Sequence, residues 1–177
     1  MVSLAECGIS HEVEEAGATF EENASRKALE YASLAGTITL ADDSGLEVDA
    51  LGGEPGVKSA RYAGESATDN DRVNYLLSRL VNVPWEKRTA SFKCVIAIAI
   101  PNGEIRMYYG SCAGYISLEP KGSLGFGYDP VFYVPDLDRT MSELALDEKS
   151  KISHRGEAAN KALPLLLSLS QDSFKNE

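Results

Sequence analysis

The amino-acid sequence predicts an α/β protein, and two observations carry the prediction. Segments with helical spacing alternate with runs rich in β-branched and apolar residues, and glycine-rich loops separate them. The same alternation fits an α+β arrangement until strand pairing is known. Thr19 followed by Glu22 is a capping-box signature, and Phe20, Ala24, Ala28, Tyr31, Ala32 and Ala35 then share one face, so a helix starts there and stops at Gly36. Residues 37–41 read as a strand whose exit carries Asp42 and Asp43. "GGEPGVKSARYAG" is a loop by its glycines and proline. A second helix over 69–80, capped by Thr68, puts Val73, Leu76, Leu77 and Leu80 on one side. Residues 89–100 and 104–116 are strand-like and joined by Pro101-Asn102-Gly103, a hairpin signal. "KGSLGFGYDP" is a further glycine-rich loop leading into the short strand "VFYV". The last helix spans 155–169, with a kink or break expected at Pro164.

Composition narrows the function classes. A chain of 177 residues is long enough to bury a sizeable core, and it reads as one domain over residues 1–177. With 17 basic against 27 acidic side chains the net charge is −10, which argues against nonspecific binding to nucleic acid or an anionic membrane. A small anionic ligand then needs local cations or a metal. Cys7, Cys94 and Cys112 are odd in number and form no C-x-x-C pair, so neither a disulfide framework nor a zinc site is expected, and the cytoplasm is the default location. No leader pattern and no span-length apolar run is visible.

The side chains suited to chemistry fall in four stretches. Asp42 and Asp43, followed by Ser44-Gly45, could hold a divalent cation, since magnesium takes oxygen ligands and bridges carboxylates to phosphates. The competing reading has one Asp capping a turn and the other solvated. Glu14 and Glu15 precede Gly17 and, taken alone, read as a solvated acidic run. Phe126 and Tyr128 stand among glycines, free to stack on a planar ligand or, alternatively, buried as core aromatics of a bulged strand. Lys149, His154 and Arg155 form a basic cluster fit for phosphate and base recognition, or a charged helix start. A Ser44–Cys94–His154 triad is rejected for want of any nucleophile signature around these residues.

Together, "EEAGATFEENASRKA", "ADDSGLEVDALGGEPGVKSARYAG", "GFGYDPVF" and "EKSKISHRGEA" resemble the inosine triphosphate pyrophosphatase family, the XTP/dITP diphosphatases that clear aberrant purine nucleotides. The resemblance implies an elongated mixed sheet with flanking helices, two lobes around a central cleft, and a homodimer. It implies hydrolysis of ITP, dITP and XTP to the monophosphate and pyrophosphate, with Mg2+ as cofactor. By position it makes Glu14 and Asp43 metal carboxylates, and Asp43 also the general base. Ser44, Phe126, Gly127, Tyr128, Asp129, Lys149, His154 and Arg155 become substrate contacts, joined by Asn23 and Lys27 on the first helix. Selectivity would rest on the purine 6-position, where a keto oxygen accepts from Arg155 or loop amides. An amino group there leaves donors facing a donor, at about 1–3 kcal/mol each.

Members of that family open with a strand and helix carrying a T-x-N-x-x-K loop, and this chain begins at the segment that follows it, about 25 residues later, the size of one strand-helix unit. A start set too late, or a shortened chain, is the expectation over a natural short form. Loss of two charge-assisted contacts would cost on the order of 3–6 kcal/mol. Two alternatives stand beside the enzymatic reading: a non-catalytic purine-nucleotide binder derived from the family, and a Maf-type nucleotide pyrophosphatase.

Overall fold

The computed structural model describes residues 1–101 and 103–173. Its spine is a five-stranded sheet in the order β1-β2-β3-β4-β5, comprising β1 (Thr39–Val48), β2 (Thr89–Ala99), β3 (Ile105–Ile116), β4 (Phe132–Val134) and β5 (Arg139–Thr140). The α/β class holds, but all four pairings are antiparallel, where a mixed sheet was expected. Short connections impose antiparallel pairing on β2–β3 and β4–β5, whereas β1–β2 and β3–β4 pair antiparallel across long connections. Asn102 lies outside the described residues; around it Ile100 N–H donates to Glu104 O at 2.8 Å, and Gly103 takes φ +90°.

Helices cover both faces of the long strands. Helix α1 (Phe20–Ala35) begins at Thr19, whose hydroxyl accepts Glu22 N–H, and ends at Gly36 in the left-handed region, as its sequence predicts. The box closes one residue early, since the Glu22 carboxylate takes Ala18 N–H at 2.7 Å. The α1 face of Phe20, Ala24, Ala28 and Ala32 packs on Val95, Ala97 and Ala99. The small alanine side chains let the helix lie close to the sheet.

Helix α4 (His154–Ser173) covers the opposite face, with Ala158 and Ala162 against Cys94, Ile96 and Ile98. Gly110 fixes this approach: a Cβ there would sit 1.9 Å from the His154 carbonyl oxygen. The break expected at Pro164 does not occur, and the helix continues to Ser173. One missing N–H is tolerated where packing on the sheet holds the helix.

A third and larger core lies at the far end of the sheet. There α2 (Asp69–Arg79) contributes Val73 and Leu76, and with Leu80 these pack on Leu46, Val48, Phe92 and Phe132. The Phe92 and Phe132 rings meet at 4.4 Å between centroids, tilted by 39°. A true capping box of Thr68 and Asp71 starts α2. A short helix, α3 (Leu146–Ile152), has no counterpart in the sequence reading and leads directly into α4.

The largest departure concerns β1. It does not end at Ala41 but runs on through Asp42, Asp43, Ser44 and Gly45 to Val48, in register with the apolar run of β2. The aspartates therefore stand inside an edge strand, and neither caps a turn. Gly45 is required where it stands, because a Cβ would meet the Gly56 carbonyl at 2.4 Å and Ser59 Oγ at 2.6 Å. Ser59 Oγ in turn accepts Leu46 N–H at 2.9 Å, tying the segment Gly56–Arg61 to the strand.

Candidate active site

Successive residues of a strand face opposite sides, so adjacent aspartates need not repel each other across one site. Asp43 pairs in register with Val95 and faces α1, whereas Asp42 pairs with Ile96 and faces α4. Two half-sites follow, one on each face of β1.

On the α1 side, Asp43 is buried, and Asn23 Nδ2 donates to its Oδ2 at 3.0 Å. Lys27 Nζ lies 3.5 Å from Asp43 Oδ1 and 2.6 Å from Glu15 Oε1. Burial raises the Asp43 pKa above the usual aspartate value, and the bonds from Asn23 and Lys27 only partly offset it. For Lys27 burial pulls downward, but the Glu15 bond and the Asp43, Glu15 and Asp42 charges outweigh it and raise the pKa. Asn23 is itself fully buried, with Oδ1 accepting Gly17 N–H at 2.8 Å. It therefore holds Asp43 and orients it, with both ends of its amide bonded within the protein. Glu14, expected beside Asp43, is exposed, and its neighbour Glu15 fills that place.

On the α4 side, Arg155 donates from Nε and Nη2 to Asp42 Oδ2 at 3.0 and 2.9 Å, and from Nη2 to Ser44 Oγ at 2.9 Å. Arg155 and Ser44 border a cavity of about 790 Å³ whose walls also include Phe92, the 124–129 loop, Lys149 and His154. Phe126 is 61% exposed, with Lys149 Nζ 4.7 Å and the Arg155 guanidinium 5.9 Å from its ring centre. Tyr128 does the opposite: it is buried in the far core, and its hydroxyl donates to Ser59 O at 2.9 Å. Phe126 offers its ring at the cavity mouth, whereas Tyr128 lines the cavity from the core side and anchors the loop.

The buried Asp129 carboxylate accepts Phe126 N–H at 2.8 Å and pairs with Lys149 Nζ. Gly127 N–H donates to Asp69 Oδ2 at 2.7 Å. Two loop amides that the sequence reading offered to a purine are thus already engaged within the protein.

The sequence pattern that defines the Ham1 family matches residues 1–165. This chain belongs to the Ham1 family. It is 52% identical over 164 residues to the dITP/XTP pyrophosphatase of Bacillus subtilis, covering 93% of this chain and 83% of that protein. It is 55% identical over 166 residues to the dITP/XTP pyrophosphatase of Desulforamulus reducens, again covering 83% of the relative. Among solved structures, a HAM1 protein from Coxiella burnetii superposes with a TM-score of 0.87 at 44% identity, over 93% of this chain and 84% of that one. The Ham1 protein of Staphylococcus aureus gives 0.87 at 45%, over 94% and 86%.

Within this Ham1 chain the structure gathers Asn23, Lys27 and Asp43 on one side of β1. On the other it gathers Ser44, Phe126, Gly127, Tyr128, Asp129, Lys149, His154 and Arg155. Asp42, expected with Asp43 at a cation, instead anchors Arg155, and Asp69 and Ser59 carry no signal in the sequence. Strand alternation could have phased Asp42 once β1 was known to extend, but no local pattern joins Asp69 to a loop 58 residues away.

His154 stacks on Phe92 at 4.8 Å and 13°, and its Nδ1 is buried with no protein partner among the described residues. Burial first, then the Arg155 and Lys149 charges, push its pKa down to about 4, with Asp42 opposing. The imidazole of this Ham1 protein is therefore neutral at pH 7. Its folded pKa lies below the unfolded value of 6.5, so the unfolded chain takes up the proton first and stability falls as pH drops from about 6.5 through about 4. The expected loss is up to about 3 kcal/mol. Urea melts at pH 7.5 and 4.5 should show it, and His154→Phe should flatten the difference.

Proposed function

We propose that this chain hydrolyses non-standard purine nucleoside triphosphates (ITP, dITP and XTP) to the monophosphate and pyrophosphate, removing them from the nucleotide pool. The observation that carries the reading is the division of labour across β1. A desolvated carboxylate beside a lysine lies on one face, and an arginine beside an aromatic-lipped cavity lies on the other. The Ham1 relatives named dITP/XTP pyrophosphatase share 52–55% identity over almost the whole chain.

Hydrolysis at phosphorus needs positioning and charge neutralisation more than covalent help. Asp43 orients a water and takes its proton; burial raises its affinity for that proton above that of an exposed aspartate. Asn23 fixes the carboxylate, and Lys27 supplies a cation to the phosphates. Arg155 keeps its Nη1 group available, since Nε and Nη2 carry its bonds to Asp42 and Ser44 among the described residues. Together with neutral His154 and Lys149, that group reads a 6-keto purine stacked on Phe126. An adenine amino group there turns a donor toward the Arg155 and Lys149 donors.

Glu15 and Asp43 converge on the Lys27 ammonium, so two hard carboxylate oxygens already face one cation. That donor set fits magnesium, which shares one or two carboxylates with substrate phosphates. No group of three or more metal-binding side chains forms an all-protein cage among the described residues. We assign magnesium to Glu15 and Asp43, with Glu15 in the place first expected of Glu14; when bound it would neutralise phosphate charge. A cytoplasmic setting, consistent with three unpaired thiols, and a homodimer belong to the same reading.

The test is product identity. Incubated with dITP and magnesium, the protein should release pyrophosphate and dIMP, at least about a hundredfold faster than it acts on dATP, and chelator should stop it. Orthophosphate as product would defeat the reading, and dITP binding without turnover would favour the non-catalytic binder.

A further inference from the structure

We propose that Asp69, the first residue of α2, is a positioning residue that latches the purine-side loop shut through Gly127. The proposal rests on the reading of the 790 Å³ cavity as the base pocket. Asp69 Oδ2 accepts Gly127 N–H at 2.7 Å across 58 residues of sequence, and its other oxygen pairs with Arg72 Nη2. Arg72 Nη1 donates to the carbonyls of Ala60 at 2.8 Å and Ala67 at 2.6 Å. One carboxylate–guanidinium pair therefore joins the 124–129 loop to the start of α2 and to the segment that carries Ser59. That segment already holds the loop from below, since the Ser59 carbonyl accepts the Tyr128 hydroxyl.

The loop needs such a latch. Gly125 and Gly127 both take positive φ, +80° and +60°, and glycine leaves the backbone freer than any other residue. Phe126 between them is 61% exposed, so its ring has little packing of its own to hold it at the cavity mouth. Asp129 fixes one side of the turn through Phe126 N–H, and Asp69 fixes the other through Gly127 N–H. Both aspartates accept from backbone, so they shape the stacking platform through the loop amides.

Steady-state kinetics on Asp69→Ala should show KM for dITP raised about tenfold with kcat within about threefold, because the latch acts on binding and not on the phosphate end. Asp69→Asn keeps an oxygen acceptor for the Gly127 amide and should recover most of the KM. Hydrogen exchange at the Gly127 amide supplies a readout independent of turnover. It should be protected in the wild type, at least about tenfold less protected in Asp69→Ala, and intermediate in Asp69→Asn. An unchanged KM, equal losses in the Ala and Asn variants, or unaltered Gly127 protection would each overturn the latch. Absence of dITP hydrolysis by the wild-type protein would instead count against the base-pocket reading, while amide exchange still judges the latch.

Discussion

Asp43→Asn is expected to lower pyrophosphate release from dITP by at least about a thousandfold while leaving the fold intact. The substitution is isosteric, and an amide oxygen at position 43 still accepts from Asn23 Nδ2, so the contact between β1 and α1 survives. What disappears is the negative charge and the proton acceptor. Both are concentrated at this atom, because burial has raised the carboxyl's affinity for a proton and Lys27 and Glu15 are arranged around it. The paired measurements are single-turnover rates and thermal melting. Near-normal turnover by a well-folded Asp43→Asn protein would remove the base from the mechanism and leave the α1 half-site without a catalytic role.

Arg155→Ala should act on the other half-site and be read in selectivity. Loss of the guanidinium removes the donors facing the cavity and also leaves Asp42 without its partner on the α4 face. The expected fall in kcat/KM for dITP is several-hundredfold, about 3–4 kcal/mol, and discrimination against dATP should collapse with it. Arg155→Lys should restore little, since an ammonium cannot span Asp42 and Ser44 and still offer a planar donor pair to a base. Should Arg155→Ala keep its preference for dITP, recognition of the 6-position would belong to His154 and Lys149, and the role assigned to Arg155 would fall.

Much of the fold was legible because its signals are local. Thr19 and Gly36 bound α1, Thr68 starts α2, and the hairpin between β2 and β3 is written in its turn residues. The extension of β1 was illegible for a physical reason. Asp, Ser and Gly are poor strand formers, and "DDSG" reads as a turn until the apolar run Cys94–Ile98 of β2 imposes pairing on it. Glu14 and Glu15 sit in an irregular segment with no periodicity to phase them, so only the position of Lys27 on α1 decides which one turns inward. Phe126 and Tyr128 are alike in sequence context, and the Ser59 carbonyl that captures Tyr128 comes from a segment 69 residues earlier. A divalent cation is suggested by the Asp42-Asp43 pair alone, whereas expectations of a homodimer and of a substrate preference rest on family resemblance, since no short pattern here encodes them.

The placement of Asp42 and Asp43 on an edge strand sets an unusual tolerance to indels. A single-residue insertion or deletion between Thr39 and Asp42 would turn every later side chain of β1 over, sending Asp43 to the α4 face, away from Asn23, and Asp42 to the α1 face, away from Arg155. Equal changes in the glycine-rich connection at residues 52–56 leave that phase untouched. Homologues that vary in length should therefore do so in that connection and keep the spacing from Thr39 to Gly45 constant.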